Sequence, residues 1–212
     1  MDDISVTIAN LNQILVDDKY ILEVYYSNKP FNSDSTISSI NFSQCETILK
    51  ENGIISEYES LIITKLDILQ TNTITREVQY QIYTDNGKKI DLEYCKDINN
   101  EIIYPIDDPH SINYQIGKEM SKEGIDIYNI NDPFFNDICF PYSINGKDII
   151  LEDRRNIIYQ NINICKDNCN YNKINHETQK VSCNCDTSYN NFHLTRTNTE
   201  KNKVNIKDIL KT

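Results

Sequence analysis

REVQYQIYTDNGKKIDLEYC, residues 76–95, carries the strongest structural signal in the chain. Val78, Tyr80 and Ile82 alternate with Glu77, Gln79 and Gln81; Ile90, Leu92 and Tyr94 alternate with Asp91 and Glu93. A period of two marks strands with one buried face. Asn86-Gly87 lies between the two runs, where a tight hairpin turn needs positive φ angles. The segment predicts an antiparallel hairpin with Val78, Tyr80 and Ile82 on one side. KYILEVYY (19–26), LIITKLDIL (61–69) and NEIIYPI (100–106) add further strands, with Pro105 marking an edge or an end.

Helices are short. Ser43 is placed to cap one, Glu46 completes a capping box three residues later, and Gly53 closes it. A second runs from Ser111 to Lys122 and stops at Gly124. NINDPFFNDICFPYS (129–143) has the punctuation of an ordered loop. DIILEDRRNIIYQN (148–161), with apolar positions 149, 150, 157 and 158, predicts an amphipathic helix. The expected fold is mainly β with short helices. A β-sandwich-like body over residues 1–128 is followed by a small disulfide-rich module over 129–190 and a polar tail over 191–212.

The 212 residues suffice for one large domain or two small ones. Lys+Arg number 21 against 32 Asp+Glu, a net charge of −11. That balance argues against nucleic acid as a partner, because phosphate neutralisation needs clustered basic residues. It argues equally against docking on anionic lipid. No apolar run approaches the ~18 residues of a membrane span, so membrane attachment is expected only through segments absent from this chain. Ala9 is the single alanine and tryptophan is missing, while Ile, Asn, Lys, Asp and Tyr abound. Such usage reads as a codon bias, so neither the Asn-rich run at 168–175 nor the 14 tyrosines is a functional signal.

The seven cysteines divide into a sparse pair, Cys45 and Cys95, and a dense group near the end, where Cys165, Cys169, Cys183 and Cys185, spaced C-x3-C-x13-C-x-C, are expected to bond among themselves or with Cys139, leaving one of the five over. All seven are disulfide candidates. Zinc is the alternative for the cluster, although its knuckles favour other spacings. The C-x-C pair suits two disulfides leaving opposite sides of a strand. A Cys45–Cys95 bridge would close a loop of about 50 residues and contribute roughly 4 kcal/mol in the chain-entropy treatment. An odd count implies a bond to another chain or a partner further along a longer protein. Residues 1–20 carry Asp2, Asp3, Asp17 and Asp18 instead of a secretory leader, which fits an internal piece of a larger ectodomain.

Catalytic chemistry has no foothold. His110, His176 and His193 stand outside any nucleophile or metal motif, and the five glycines form no phosphate loop. Asp126, Asn131, Asp132, Asn136 and Asp137 have oxygens suited to calcium but lack the loop order, so they read as turn and cap residues. Asn41-Phe42-Ser43 is a lone sequon and makes Asn41 a glycosylation candidate. Arg154-Arg155 is expected to pair with surface carboxylates for at most ~1 kcal/mol.

NDPFFNDICFPYSINGKDIILEDRRNIIYQNINICKDNCNYNKINHETQKVSCNCD (131–186) resembles a segment of large cysteine-rich surface proteins of ciliates and similar protists. The shared elements are D-P-F-[FY]-N-D-x-C, an F/T-P-Y step, D-R-[RK] ending in Y-x-N, C-x3-C and a closing C-x-C. Upstream, the β segment is similar to the one preceding that module, so the likeness spans about residues 40–186. It implies a continuation past the C-x-C to a further cysteine and to membrane-spanning segments.

The expectation is therefore a non-enzymatic extracellular or cell-surface domain of a larger protist protein. It would act in binding, adhesion or structure toward a protein or glycan ligand, without a cofactor. The alternative is a cytosolic protein whose Cys165, Cys169, Cys183 and Cys185 hold structural zinc.

Overall fold

The computed structural model describes residues 13–28, 36–69, 74–158, 164–166 and 169–186. The tail 191–212, with His193, lies outside them, as does the end of the 148–161 helix expectation. Among the described residues, no helix is long and apolar enough to cross a membrane.

Two four-stranded antiparallel sheets form the body. The first has the order β1 (Gln13–Val16), β2 (Tyr20–Tyr26), β4 (Ile62–Ile68), β5 (Glu77–Tyr83). The second has the order β3 (Ser39–Ile40), β6 (Asn99–Pro105), β10 (Lys180–Asp186), β9 (Cys169–Asn175). Directly opposed residues share a face, so the register puts Tyr25, Ile63 and Ile82 on the same side of the first sheet. That side joins one hydrophobic core with Val78, Tyr80, Ile102, Tyr104, Val181, Cys183 and Cys185. The core therefore holds side chains of both sheets, as a sandwich-like architecture requires. β10 of the cysteine-rich segment pairs with β6 along seven residues, joining the two halves of the chain in one sheet.

The 76–95 segment is half as expected. β5 forms and its Val78, Tyr80 and Ile82 enter the core, but its long partner is β4. The turn comes where Asn86-Gly87 stands, as a three-residue loop: Gly87 N–H donates to Thr84 O and Thr84 N–H to Lys88 O. Gly87 takes φ +82°, whereas Asn86 does not turn positive. Beyond it a single bridge joins Tyr83 to Lys89, and the chain enters a 3₁₀ turn at Leu92–Cys95. Asp91 drives this departure by accepting from Glu93 N–H, and Cys95 is tied to the neighbouring helix. The Asn-Gly pair at 145–146 makes the tighter hairpin. Asn145 and Gly146 both have positive φ between β7 (Ser143–Ile144) and β8 (Lys147–Asp148).

The first helix, α1 (Ser43–Glu51), begins without help from Ser43. Asn41 Oδ1 instead accepts from Ser43 N–H at 3.0 Å, two residues before the expected cap. Gly53 ends α1 at φ +66°, with its N–H on Lys50 O and Ile54 N–H on Leu49 O, a Schellman motif. The second helix, α2 (Ile112–Lys122), repeats that ending at Gly124 and is capped by Ser111. The 129–143 loop contains one turn of helix, α3 (Pro133–Asn136), capped by Asp132. The 148–161 segment forms α4 (Leu151–Asp153) running into a π turn at Arg154–Ile158.

Arg154 overturns the expectation of a surface ion pair. It is 1% exposed, donates to Phe134 O (2.8 Å) and Asp137 O (2.9 Å), and lies over the Phe134 and Phe140 rings. Arg155 donates to Phe135 O. Both guanidinium groups thus satisfy carbonyls that a one-turn helix leaves without partners.

Candidate functional site

The cysteines define the most distinctive chemistry of the molecule. Cys45, in the first turn of α1, and Cys95, at the end of the 3₁₀ turn, are both fully buried and bonded with Cα atoms 5.4 Å apart. Cys165, just before β9, is bonded to Cys183 on β10, Cα atoms 6.0 Å apart. Cys169 and Cys185 face each other in the β9–β10 register and are bonded across it at 4.0 Å. A register shift beside Cys183 lets β9 carry Asn172 as an extra residue. Cys139 is exposed and has no disulfide partner.

Two expectations are corrected. Cys183 and Cys185 do not leave opposite sides of the strand: both are buried in the core, as residues two apart on a strand must be. They avoid competition because Cys165 and Cys169 reach them at different levels of the hairpin. Nor do the four clustered sulfurs form a thiolate zinc site, since all are consumed in bonds to one another. Among the described residues, no group of three or more His, Cys, Asp or Glu is placed to hold a metal. Three intrachain disulfides point to an oxidising, extracellular or secreted environment.

Asn41 is exposed, and its Oδ1 also accepts from Ser43 Oγ at 2.7 Å. The Asp and Asn set at 126–137 serves as turn and cap groups. Asp132 accepts from Phe134 N–H and Asp126 N–H, Asp137 from Cys139 N–H, and Asp126 from Tyr128 N–H. Asp126 also accepts a hydrogen bond from the Tyr171 hydroxyl at 2.7 Å; burial and that carboxylate push the Tyr171 phenol up. His176, at the β9–β10 turn, packs at a tilt against Tyr114 of α2, ring centroids 5.3 Å apart and planes at 56°. Its two ring nitrogens are buried without hydrogen-bond partners among the described residues, and desolvation holds its pKa below the usual histidine value.

Sequence reasoning missed a buried ionic network at one end of the sandwich. Lys65 is fully buried, pairs with Glu23 across the β2–β4 register, and reaches Ser38 O, Ser38 Oγ (3.0 Å) and Asp67 (3.4 Å). Asp67 accepts Ser38 N–H (2.9 Å), Ser38 Oγ (2.6 Å) and Arg76 Nη1 (3.2 Å). Arg76 also grips Asp107, whose side chain is 17% exposed at the rim. Burial, Glu23 and Asp67 together push the neighbouring Tyr25 phenol strongly up. In β4, Ile63, Lys65 and Asp67 share one face, a parity that ties the two charges to Ile63 without saying which face is buried.

Comparison with protein-family models, curated proteins and solved structures yields no match to this chain.

Proposed function

We propose that the chain is a non-enzymatic extracellular or cell-surface domain of a larger protist protein, serving binding, adhesion or structural display toward a protein or glycan ligand. The cysteine arrangement carries this reading. Six of the seven cysteines pair within the chain, one bridge fastening α1 to the end of the β5 turn and two fastening the last hairpin. Disulfides persist in oxidising compartments and are rare in the cytosol. Asp126, Asp132 and Asp137 are engaged in caps and turns, and Glu23 and Asp67 in internal ion pairs. The likeness of residues 131–186 to protist surface proteins supports the same reading.

Alkylation of the denatured, unreduced protein, combined with metal analysis, tests it. The expected result is one reactive thiol, Cys139, and no stoichiometric zinc. Seven reactive thiols with one zinc per chain would overturn the reading in favour of a cytosolic zinc protein.

A further inference from the structure

The sequon at Asn41 follows β3, an edge strand of the second sheet among the described residues. There β3 pairs with β6 on one side only, and Asn41 follows it directly, its N–H still donating to Glu101 O at 3.0 Å. Phe42, the middle residue of the sequon, is 3% exposed and packs edge-on against Tyr80 in the core. Asn41 and Ser43 on either side of it are exposed. The segment is thus anchored by its centre and open at its two chemically relevant positions.

The Asn41 carboxamide is divided between two uses. Oδ1 accepts from Ser43 N–H and Ser43 Oγ, holding the chain as it enters α1. Nδ2 has no hydrogen-bond partner among the described residues and belongs to an exposed side chain. We propose that Asn41 carries an N-linked glycan on Nδ2 while Oδ1 continues to hold the start of α1. The inference rests on the extracellular reading, because the sugar donor belongs to the secretory route. In the transfer, Nδ2 forms a bond to the anomeric carbon of an oligosaccharide carried on a polyprenyl diphosphate. The anomeric carbon–oxygen bond breaks, the polyprenyl diphosphate departs, and one Nδ2 proton is lost to a base. The remaining N–H and the Oδ1 acceptor are untouched, so both hydrogen bonds from Ser43 survive. A hydrated, bulky group at this point stands beside the open β3 edge, where unpaired strand groups invite pairing with another chain. The glycan shields that edge.

The test is secretion of the full chain from a eukaryotic host, read by intact mass before and after an amidase that removes N-glycans and leaves aspartate at position 41. The wild-type chain is expected to carry one glycan. Ser43→Thr keeps it, and Ser43→Ala and Asn41→Asp lose it. Asn41→Asp is the same polypeptide as the enzymatically deglycosylated wild type and retains an oxygen acceptor at the same place, so the two share one denaturation midpoint; Asn41→Gln, whose longer side chain displaces the acceptor, falls below both. Secreted protein with a single free thiol and an unmodified Asn41 overturns the glycan and spares the extracellular reading. Glycosylated Asn41 beside seven free thiols upholds the glycan and overturns the disulfide assignment.

Discussion

The two sheets of this sandwich are secured by different chemistries. The strands of the first sheet carry no cysteine; its interior face holds Glu23, Lys65 and Asp67, with Arg76 and Asp107 closing the network. Among the described residues no such buried ion network is seen in the second sheet, and its outer hairpin is locked by two disulfides, with Cys183 and Cys185 in the core. Covalent bridges act largely by restricting the unfolded chain, whereas buried ions act within the folded state and penalise any loss of a partner. One sheet is therefore sensitive to reductant, the other to removal of a charge.

The largest single-site effect is expected at Lys65. Lys65→Met leaves Glu23 without its cation and Asp67 with only Arg76, at a cost of about 3–5 kcal/mol. Urea denaturation measures it. Adding Glu23→Leu to Lys65→Met should recover part of the loss, because no uncompensated carboxylate then faces the core at that register. A double variant less stable than the single one would break the assignment of an ionic first sheet.

The covalent side is sharpened by removing one bridge at a time. Cys45→Ala with Cys95→Ala opens a loop of 50 residues and should cost about 4 kcal/mol; Cys169→Ala with Cys185→Ala opens one of 16 and should cost about 3 kcal/mol. Equal or reversed losses would show that native-state contacts, and not loop length, set the contribution of each bridge.

A third kind of fastening, outside both sheets, is Arg154 against the α3 turn. Arg154→Met keeps volume over the Phe134 and Phe140 rings but strips the donors from Phe134 O and Asp137 O. A loss of about 1–3 kcal/mol is expected for the carbonyls left without partners. A neutral outcome by thermal denaturation would show that water replaces the guanidinium there.

The smallest expected effect follows pH. His176 is held below its unfolded pKa of about 6.5 by desolvation, which outweighs the pull of Asp126, and Lys118 adds to the lowering. In the window between the two values the unfolded chain binds a proton that the native chain does not. Stability is therefore full above the unfolded pKa, falls as pH drops through it, and levels off below the folded pKa. His176→Phe keeps an aromatic ring against Tyr114 and should flatten this part of the stability–pH curve. An unchanged curve would place the dependence elsewhere.

Much of the first sheet was legible because its signals are local. β2, β4 and β5 are β-rich runs of seven residues, and Gly53 and Gly124 announce helix ends through the positive φ that glycine adopts freely. The strand at 180–186 was equally available: Val181, Cys183 and Cys185 alternate with Ser182 and Asn184. The density of cysteine and asparagine drew attention to loop chemistry instead. The second half of the 76–95 hairpin failed for a different reason. Its alternation is real, but a capping aspartate and a disulfide to α1 compete with the ladder and prevail.

The sequence by itself determined the β-rich class, the positions of the turns, and the division of the cysteines into a sparse set and a cluster. These rest on period, propensity and residue count, which act over a few positions. Only the tertiary structure decided which cysteine meets which, that Cys139 is left over, and that Lys65 and Asp67 face inward. Lys65 and Asp67 alternate with Leu66 and Ile68, and such a pattern fits a strand lying either way up. The choice depends on Glu23, Ser38 and Arg76, brought from three other segments to neutralise the buried charge. A charge is admitted to a core only where its partners already wait, and partners at long range leave no local trace.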